Sequence, residues 1–435
     1  MRHPFWCLIK RICSKLSVNL LFVKNIFLVA VNKGIVVTIL TVLYFLWNIF
    51  AGIKLTWGGI LMLIWGGRIN IILFLIFALL FILIGLTDKK GSVFTSKYKR
   101  YAFPFILAYL FIYFYAGFFL GEYPSGSFLM NAFMAFIFIL LNDKWKLTVF
   151  DWLVKSLVFF LSLSLIEYLL YIFTDQGILI AYFIRDNSGR EQLFEQHLFN
   201  FFIINSTIRF QSFCEEPGEL GTLCYLMLFL VGNNPRYKIY YYCFWIFGLA
   251  SFSLGFYILA AIYLLSIRFK IRTIVLTAVC VLTMPLILGE QFETLVMERI
   301  SGKDIRDIDN RTGDALNSAL STSIFDGSII YGHGGVLPDD MEYDSGNTGG
   351  KVFLYKYGVL GLILLLCPFW KFINQYYRQY RVPYRLRMCF VIAFFGAFYK
   401  SNMLEFYWCL CLPFLFPMLA SGATSKTFSI DNIKL

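Results

Sequence analysis

The stretch RFQSFCEEPGELGTLCYLMLFLVG, residues 209–232, joins a charged segment to an apolar run, and these two features recur along the chain. It begins with polar and charged residues, among them Glu215 and Glu216, and then becomes almost entirely apolar. Pro217 suits the first turn of a helix, because the N–H that proline lacks would have no partner there. The stretch therefore predicts a membrane-spanning helix over Gly218–Gly232 with charged residues at its mouth.

The whole chain has the same apolar character. Of its 435 residues, 59% are hydrophobic, 20% are aromatic and only 15% are charged. A soluble domain of this composition would leave too much apolar surface in water. Aromatic residues, by contrast, suit helix ends that lie among lipid headgroups. Lipid is therefore the predicted solvent for most of the chain.

The net charge of +12 does not indicate nucleic-acid binding, because the basic residues lie in clusters between alternate apolar runs. Such clusters mark the cytoplasmic loops of a membrane protein. They are Lys89–Arg100, Lys144 and Lys146, Arg236 and Lys238, Arg268–Arg272, and Lys371–Arg387. With twelve spans, all of these clusters and both termini fall in the cytoplasm, which predicts a multi-pass inner-membrane protein.

A bilayer core requires about 20 apolar helical residues. The candidate spans, several of them short, are Gly34–Ile53, Ile69–Leu86, Ala102–Leu120, Ser127–Leu141, Trp152–Phe173, Gly218–Gly232, Ile239–Ser251, Phe252–Ile267, Thr273–Gly289, Val352–Trp370, Leu386–Tyr399 and Phe406–Leu419. The seventh and eighth are expected to form a hairpin that turns at Ser251–Ser253. Val18–Val31, interrupted by Lys24, is expected to be an interfacial helix of a retained cytoplasmic segment. The sequence thus predicts one all-α transmembrane domain over residues 1–435.

Two long segments are predicted on the exterior, periplasmic side, namely residues 174–217 and 290–351. In the first, the amphipathic stretch Leu193–Ile204 is expected to lie on the membrane surface, with His197 as an interfacial residue. Loops of this length in a compact protein are usually functional. Of the ten cysteines only Cys214 falls in these segments, and no metal-ligand spacing is present, so no disulfide framework, metal or cofactor is expected.

Charged residues near lipid are costly and are therefore candidates for function. Arg209 and Glu216 stand at the mouth of the sixth span, where a helix N-terminus favours a carboxylate. Glu167 is a lone acid inside the fifth span. It is a candidate for an ion or proton path, or for pairing with an arginine of the adjacent loop.

The second exterior segment contains three short polar motifs, Asp309-Asn-Arg-Thr312, Gly332-His-Gly334 and Asp344-Ser-Gly346. Arginine forms two-point contacts with phosphate, and glycine lets the backbone approach a ligand closely. Histidine gains and loses a proton near neutral pH. Arg311 and His333 are accordingly the candidates in this segment.

In their order these motifs resemble the bacterial O-antigen and capsular polysaccharide polymerases of the Wzy type. That family has an Arg…Glu-Pro…Gly segment, similar to Arg209…Glu216-Pro217…Gly221, which opens a helix. The three loop motifs follow, and then a Gly-hydrophobic-Gly helix, similar here to Tyr357–Leu362. One departure is Ser212, where the family often has glycine.

The resemblance implies a metal-independent glycosyltransferase that joins oligosaccharide repeats carried on undecaprenyl diphosphate. It implies Arg209, Arg311 and Asp309 as the residues that bind the diphosphate and glycan. It implies Glu216 as the base that takes a proton from the acceptor hydroxyl, with His333 or Asp344 as alternatives. Implied partners are membrane lipids, a chain-length regulator and a flippase, but no nucleic acid.

Three alternatives are weighed against this hypothesis. An O-antigen ligase shares the architecture, but its loop histidine follows the Gly-x-Gly element, whereas His333 lies inside it. Another class of polytopic glycosyltransferase requires carboxylates in its first exterior loop, and residues 54–68 contain none. A flippase or other transporter would have polar helices and short outer loops, which is the reverse of this pattern.

The topology makes a direct prediction. Cysteines introduced at Asp186 and Asp326 should react with an impermeant thiol reagent from the exterior, because both lie in predicted outer segments. Cysteines at Arg236 and Arg378 should react only after the membrane is permeabilised. Labelling of the positions 186 and 326 from opposite faces would contradict the topology.

Overall fold

The computed structural model describes most of the chain from residue 93 onward. The described residues are 35–43, 79, 84, 93–95, 99–121, 123–124, 126–174, 177–187, 190–203, 209–214, 217–232, 234–266, 314–334, 349–400 and 407–420. The predicted interfacial helix and the ninth span lie outside these residues, as does nearly all of the second span. Residues 35–43, in the first predicted span, are helical.

The described part of the chain is mostly helical. Its longer helices are α1 (Lys99–Phe119), α2 (Gly126–Leu140), α3 (Asp143–Thr174), α4 (Pro217–Val231), α5 (Lys238–Ala250), α6 (Leu254–Ser266), α7 (Asp314–Asp326), α8 (Gly349–Gln379), α9 (Tyr384–Lys400) and α10 (Tyr407–Ala420). All but α7 coincide with predicted spans, which confirms those spans as helices. By length and apolar composition, Ala102–Phe119 and Asp143–Thr174 are sufficient to cross a membrane.

Helix α4 is the centre of the bundle. Apart from the half-buried Pro217 and Glu219, every one of its residues is buried, because α5, α6, α9 and α10 surround it. Phe229, for example, contacts the rings of Tyr263, Phe390 and Phe416 on three of these helices. An apolar helix with no polar face needs apolar surroundings on every side, and the neighbouring helices provide them here.

Helices α5 and α6 form the predicted hairpin. Phe252 at the turn has a left-handed φ of 47°, which ends α5 and lets α6 begin two residues later. A Cβ atom built on Gly221 of α4 would lie 2.7 Å from the Cβ of Ser253. The turn therefore lies against the first turn of α4. We call this the outer end of the bundle. In the predicted topology α1 and α3 also end on this side.

The all-α prediction is wrong in the first exterior segment. The three strands β1 (Leu179–Asn187), β2 (Arg190–His197) and β3 (Phe201–Ile203) form an antiparallel sheet in that order. The stretch predicted as an amphipathic surface segment is thus largely β2 and β3. Leu179–Ile184 is rich in the residues that favour strands, and Ser188-Gly189 has turn composition. These signals were sufficient to predict a hairpin.

Helix α8 is broken at its tenth residue. Gly358 has φ 66° and ψ −177° inside an otherwise helical run. A Cβ atom at Gly358 would lie 2.5 Å from the Ile330 carbonyl oxygen, and one at Gly332 would lie 2.5 Å from the Lys356 carbonyl oxygen. Both glycines are required because two backbones touch at this point. The break thereby joins the second exterior segment to a helix of the bundle.

This contact predicts a large difference between two glycines of positive φ. Gly121→Ala should cost about 1–2 kcal/mol, because its φ is 78° but, among the described residues other than its chain neighbours, no atom lies within 4 Å of a Cβ there. Gly358→Ala adds a backbone collision and should cost about 3–5 kcal/mol. The melting temperatures of the two variants in detergent measure these losses of stability. Equal losses in Gly121→Ala and Gly358→Ala would contradict the backbone contact.

Candidate functional site

Arg209 lies at the outer end, immediately before α4. Its guanidinium donates from Nη2 to the Phe252 carbonyl oxygen at 2.8 Å and to the Ser251 carbonyl oxygen at 3.4 Å. Ser251 caps the C-terminus of α5, and carbonyl groups at a helix C-terminus attract a positive charge. Arg209 thus joins the α5–α6 turn to the segment that leads into α4.

Two neighbours of Arg209 are buried polar residues. Gln211 is 3% exposed and Ser212 is 0% exposed. Neither Gln211 Nε2 nor Ser212 Oγ has a hydrogen-bond partner in the described part of the chain. Leaving such a group unsatisfied costs about 1–3 kcal/mol, so each one calls for an explanation such as strain, an ordered water or a bound group. The pair therefore marks this segment as a candidate ligand site.

The backbone at Ser212 is also unusual. Its φ is 53°, in the left-handed region that favours glycine. It is held there by a tight turn in which the Cys214 N–H donates to the Gln211 carbonyl oxygen at 2.9 Å. Strained positions of this kind are common at ligand sites. The serine thus presents a hydroxyl where the conformation alone would favour glycine.

Glu216 and Glu215 lie outside the described residues. Helix α4 begins at Pro217, as predicted, so both acids directly precede a helix N-terminus in the chain. Asp309, Arg311 and Asp344 are also outside the described residues. Of the six predicted site residues, the structure therefore describes only Arg209 and His333.

Glu167 has a structural role. Its carboxylate accepts hydrogen bonds from the N–H groups of Leu198 (3.0 Å) and Phe199 (2.8 Å) and from Asn200 Nδ2 (2.9 Å). Asn200 also donates to the Ser164 carbonyl oxygen at 2.7 Å. Three donors satisfy the buried acid, which ties the β2–β3 connection to α3. The predicted pairing with an arginine is replaced by this set of contacts.

His197 was predicted to be an interfacial residue, but the structure buries it. It is 3% exposed, and its Nε2 lies 3.3 Å from a carboxylate oxygen of Glu195. Its ring meets those of Tyr171 and Phe202 edge-on, and these two rings stack on each other at 4.3 Å. His197 therefore helps to dock the sheet on α3.

His333 is held by contacts on several sides. Its Nε2 lies 2.6 Å from the Ser323 hydroxyl and 3.0 Å from the Ser328 hydroxyl. Its ring stacks on Tyr355 with centroids 4.5 Å apart, and the backbone N–H of His333 donates to the Tyr355 carbonyl oxygen at 3.0 Å. The histidine is therefore oriented by both α7 and the first half of α8.

The turn that precedes His333 is held by hydrogen bonds to the end of α7 and to α1. The Asp326 carboxylate accepts a hydrogen bond from the Ser328 N–H at 2.8 Å. Hydrogen bonding by the Ser328 hydroxyl, and then by this N–H, lowers the pKa of Asp326 from its ordinary value. The Tyr115 hydroxyl donates to the Tyr331 carbonyl oxygen at 2.7 Å and so attaches the turn to α1.

The outer end thus contains two polar clusters. The Arg209 cluster consists of Arg209, Gln211 and Ser212, and the His333 cluster consists of His333, Ser323, Ser328 and Tyr355. In the described part of the chain, no group of three His, Cys, Asp or Glu residues is arranged to hold a metal ion. Sequence reasoning missed Gln211 and the three partners of His333, and it noted Ser212 only as a departure from the glycine of the family. Nothing in the sequence marks these residues as members of a site.

Comparison of the chain with protein families, with curated proteins and with solved structures finds no match in any of the three.

The Glu167 contacts predict a local change in stability. Glu167→Gln should lower the free energy needed to open the hydrogen bonds of the 198 and 199 amides by about 1–3 kcal/mol. The reason is that an NH₂ group replaces one of the two acceptor oxygens. Hydrogen exchange at these amides should then be roughly 5- to 150-fold faster. Asp326→Asn, which alters an exposed carboxylate, is the matched control. Unchanged exchange in Glu167→Gln would contradict the structural role.

Proposed function

We propose that this chain is a multi-pass inner-membrane glycosyltransferase that polymerises lipid-linked oligosaccharide repeats on the periplasmic face. The observation that carries the proposal is the Arg209 cluster. It combines one positive charge with two buried polar groups that have no partner within the described residues, at the mouth of the central helix. A cation beside polar groups suits a ligand that is both anionic and rich in hydroxyl groups.

A location in the membrane is supported by the apolar helices. The two long ones carry large side chains on their exposed faces, such as Phe111 and Phe118 on α1 and Phe159 and Leu170 on α3. Faces of this kind are stable in contact with lipid. The predicted topology places the outer end in the periplasm.

The proposed reaction transfers a glycan from one lipid carrier to another. The acceptor hydroxyl oxygen forms a bond to the anomeric carbon of the donor. The bond from that carbon to the diphosphate oxygen breaks, and the lipid diphosphate leaves with the electron pair. A base takes the proton of the acceptor hydroxyl. Positive charge near the leaving group and a base near the acceptor would both lower the barrier.

The Arg209 cluster suits the diphosphate side of this reaction. Nη2 of Arg209 is engaged with backbone carbonyl groups, so the guanidinium plane has a fixed orientation. A fixed planar group makes two-point contacts with phosphate, which lysine does not. Gln211 Nε2 is a donor for a phosphate oxygen or a sugar hydroxyl. Arg311 and Asp309 are proposed to complete this side of the site.

Glu216 is proposed as the base, since it directly precedes the N-terminus of α4. A carboxylate is favoured there in its ionised form, which is the form that accepts a proton. His333 and Asp344 remain the alternatives. Because the His333 ring is stacked and its Nε2 lies near two hydroxyl groups, it suits the orientation of an acceptor sugar as well as proton transfer.

A ligase that attaches the finished glycan to another acceptor would use the same donor chemistry. The surface-glycan pattern of a strain that lacks the gene separates the two activities. A single-repeat product indicates a polymerase, whereas the loss of all attached glycan indicates a ligase. A transporter is less well supported, since Glu167, its main intramembrane candidate, is satisfied by three structural donors.

If the Arg209 cluster binds substrate, Gln211→Met should separate function from stability. The change removes an unsatisfied buried polar group at similar volume, so it should stabilise the fold by about 1–3 kcal/mol. The polymer should nevertheless become shorter, because a ligand contact is lost. Melting temperature and glycan length measure the two effects. Asn234→Ala, which removes the N-cap of the short 3₁₀ helix Pro235–Tyr237 after the other end of α4, should lower stability and leave the polymer normal. Full-length polymer in Gln211→Met would contradict the assignment.

The base assignment is tested by two adjacent acids. Glu216→Gln keeps the size but cannot accept a proton, so it should be inactive, whereas Glu216→Asp should be weakly active. Glu215→Gln, the matched control, should be near normal, and His333→Ala should be slowed but active. Glycan length at equal protein level measures each variant. Normal polymer in Glu216→Gln together with none in His333→Ala would transfer the role to histidine.

A further inference from the structure

Helix α7 is polar on its exposed face at the start and apolar at its end. Leu316 and Leu320 pack against Tyr355, which leaves Ser318, Ser321 and Thr322 exposed on the other side. The last turn then exposes two large apolar side chains, Ile324 at 63% and Phe325 at 91%. The change in polarity along one helix shows that its two ends suit different surroundings.

The turn after α7 continues the apolar surface. Ile330 is 50% exposed and Tyr331 is 60% exposed. With Ile324 and Phe325 they form what we call the α7 tip. Large apolar side chains clustered in this way on a protein surface mark a site of contact with another protein or with a membrane.

The position of the α7 tip identifies which of these it meets. The Tyr115 hydroxyl donates to the Tyr331 carbonyl oxygen at 2.7 Å, so the tip lies beside the outer end of α1. The last turns of α1 expose Phe118 at 71% and Phe119 at 80%, and the ring of Phe119 lies 5.8 Å from that of Tyr115. The tip is therefore continuous with the face of α1 that suits lipid.

We propose that the α7 tip inserts into the outer leaflet of the membrane at the level of the headgroups. The inference rests on the membrane location in the proposed function. An aromatic and aliphatic cluster with a tyrosine suits the boundary between headgroups and acyl chains. Asp326, which is fully exposed and held by Ser328, remains on the aqueous side of this boundary.

Insertion of the tip would also determine the depth of the His333 cluster. Ser323 belongs to the last turn of α7 and Ser328 to the turn that follows, and both contact His333 Nε2. An inserted tip therefore holds the histidine just above the membrane surface. The phosphate groups of a lipid-linked diphosphate lie at that level. The tip would thus align the exterior segment with a substrate anchored in the same leaflet.

The test uses single-cysteine variants of the full chain that carry a small fluorinated tag at Phe325, at Ser318 or at Phe111. Each is placed in vesicles of phosphatidylethanolamine and phosphatidylglycerol. Fluorine NMR then measures line broadening by a nitroxide lipid and, separately, by a water-soluble nickel chelate. Phe111 on α1 is the lipid reference, and Ser318 is the exposed polar control on α7 itself. Variants are compared only when their melting temperatures match.

The tags at Phe325 and at Phe111 should both be broadened by the nitroxide lipid, whereas the tag at Ser318 should be broadened mainly by nickel. Broadening of Phe325 by nickel alone would place the tip in water and overturn the proposal. Broadening by neither agent would mean that the protein covers the tip, which also overturns it. If the nitroxide lipid fails to reach even Phe111, the membrane location itself is wrong.

Discussion

Burial of α4 is the constraint on which the rest of the structure depends. A helix that is apolar on every side needs apolar surroundings throughout, and in this structure other helices provide them. Helices α5, α6, α9 and α10 supply the surrounding surface. Because α4 begins at the outer end, its burial also brings the segment before it, with Arg209, against the α5–α6 turn. The candidate site is a consequence of how one apolar helix is enclosed.

Buried polar groups at the outer end differ in whether the described structure provides them with hydrogen-bond partners. The Glu167 carboxylate receives three N–H donors and thereby holds the sheet on α3. Gln211 Nε2 and Ser212 Oγ, equally buried, have no such partner in the described structure. Satisfied groups stabilise a fold, whereas unsatisfied ones are retained against a cost in stability. This contrast separates the structural acid from the candidate ligand site.

The break in α8 connects the bundle to the exterior segment. At Gly358 and Gly332 two backbones come closer than any side chain permits. The contact positions His333 on the first half of α8, where Tyr355 and the end of α7 complete its surroundings. In the predicted topology the Arg209 and His333 clusters both lie at the outer end, although they come from segments over a hundred residues apart.

The sequence by itself determined the helical bundle, the bounds of most of its helices and the hairpin turn at Ser251–Ser253. Apolar runs and basic clusters are local signals, which can be recognised without knowledge of the fold. The sequence also predicted Arg209 and His333 as candidates from their residue type and position. Only the tertiary structure decided that Glu167 is structural and that Gln211 and Ser212 have no partner in the described chain. Hydrogen-bond satisfaction depends on which distant groups meet, and residues such as Glu167 and Asn200 meet only after the chain has folded.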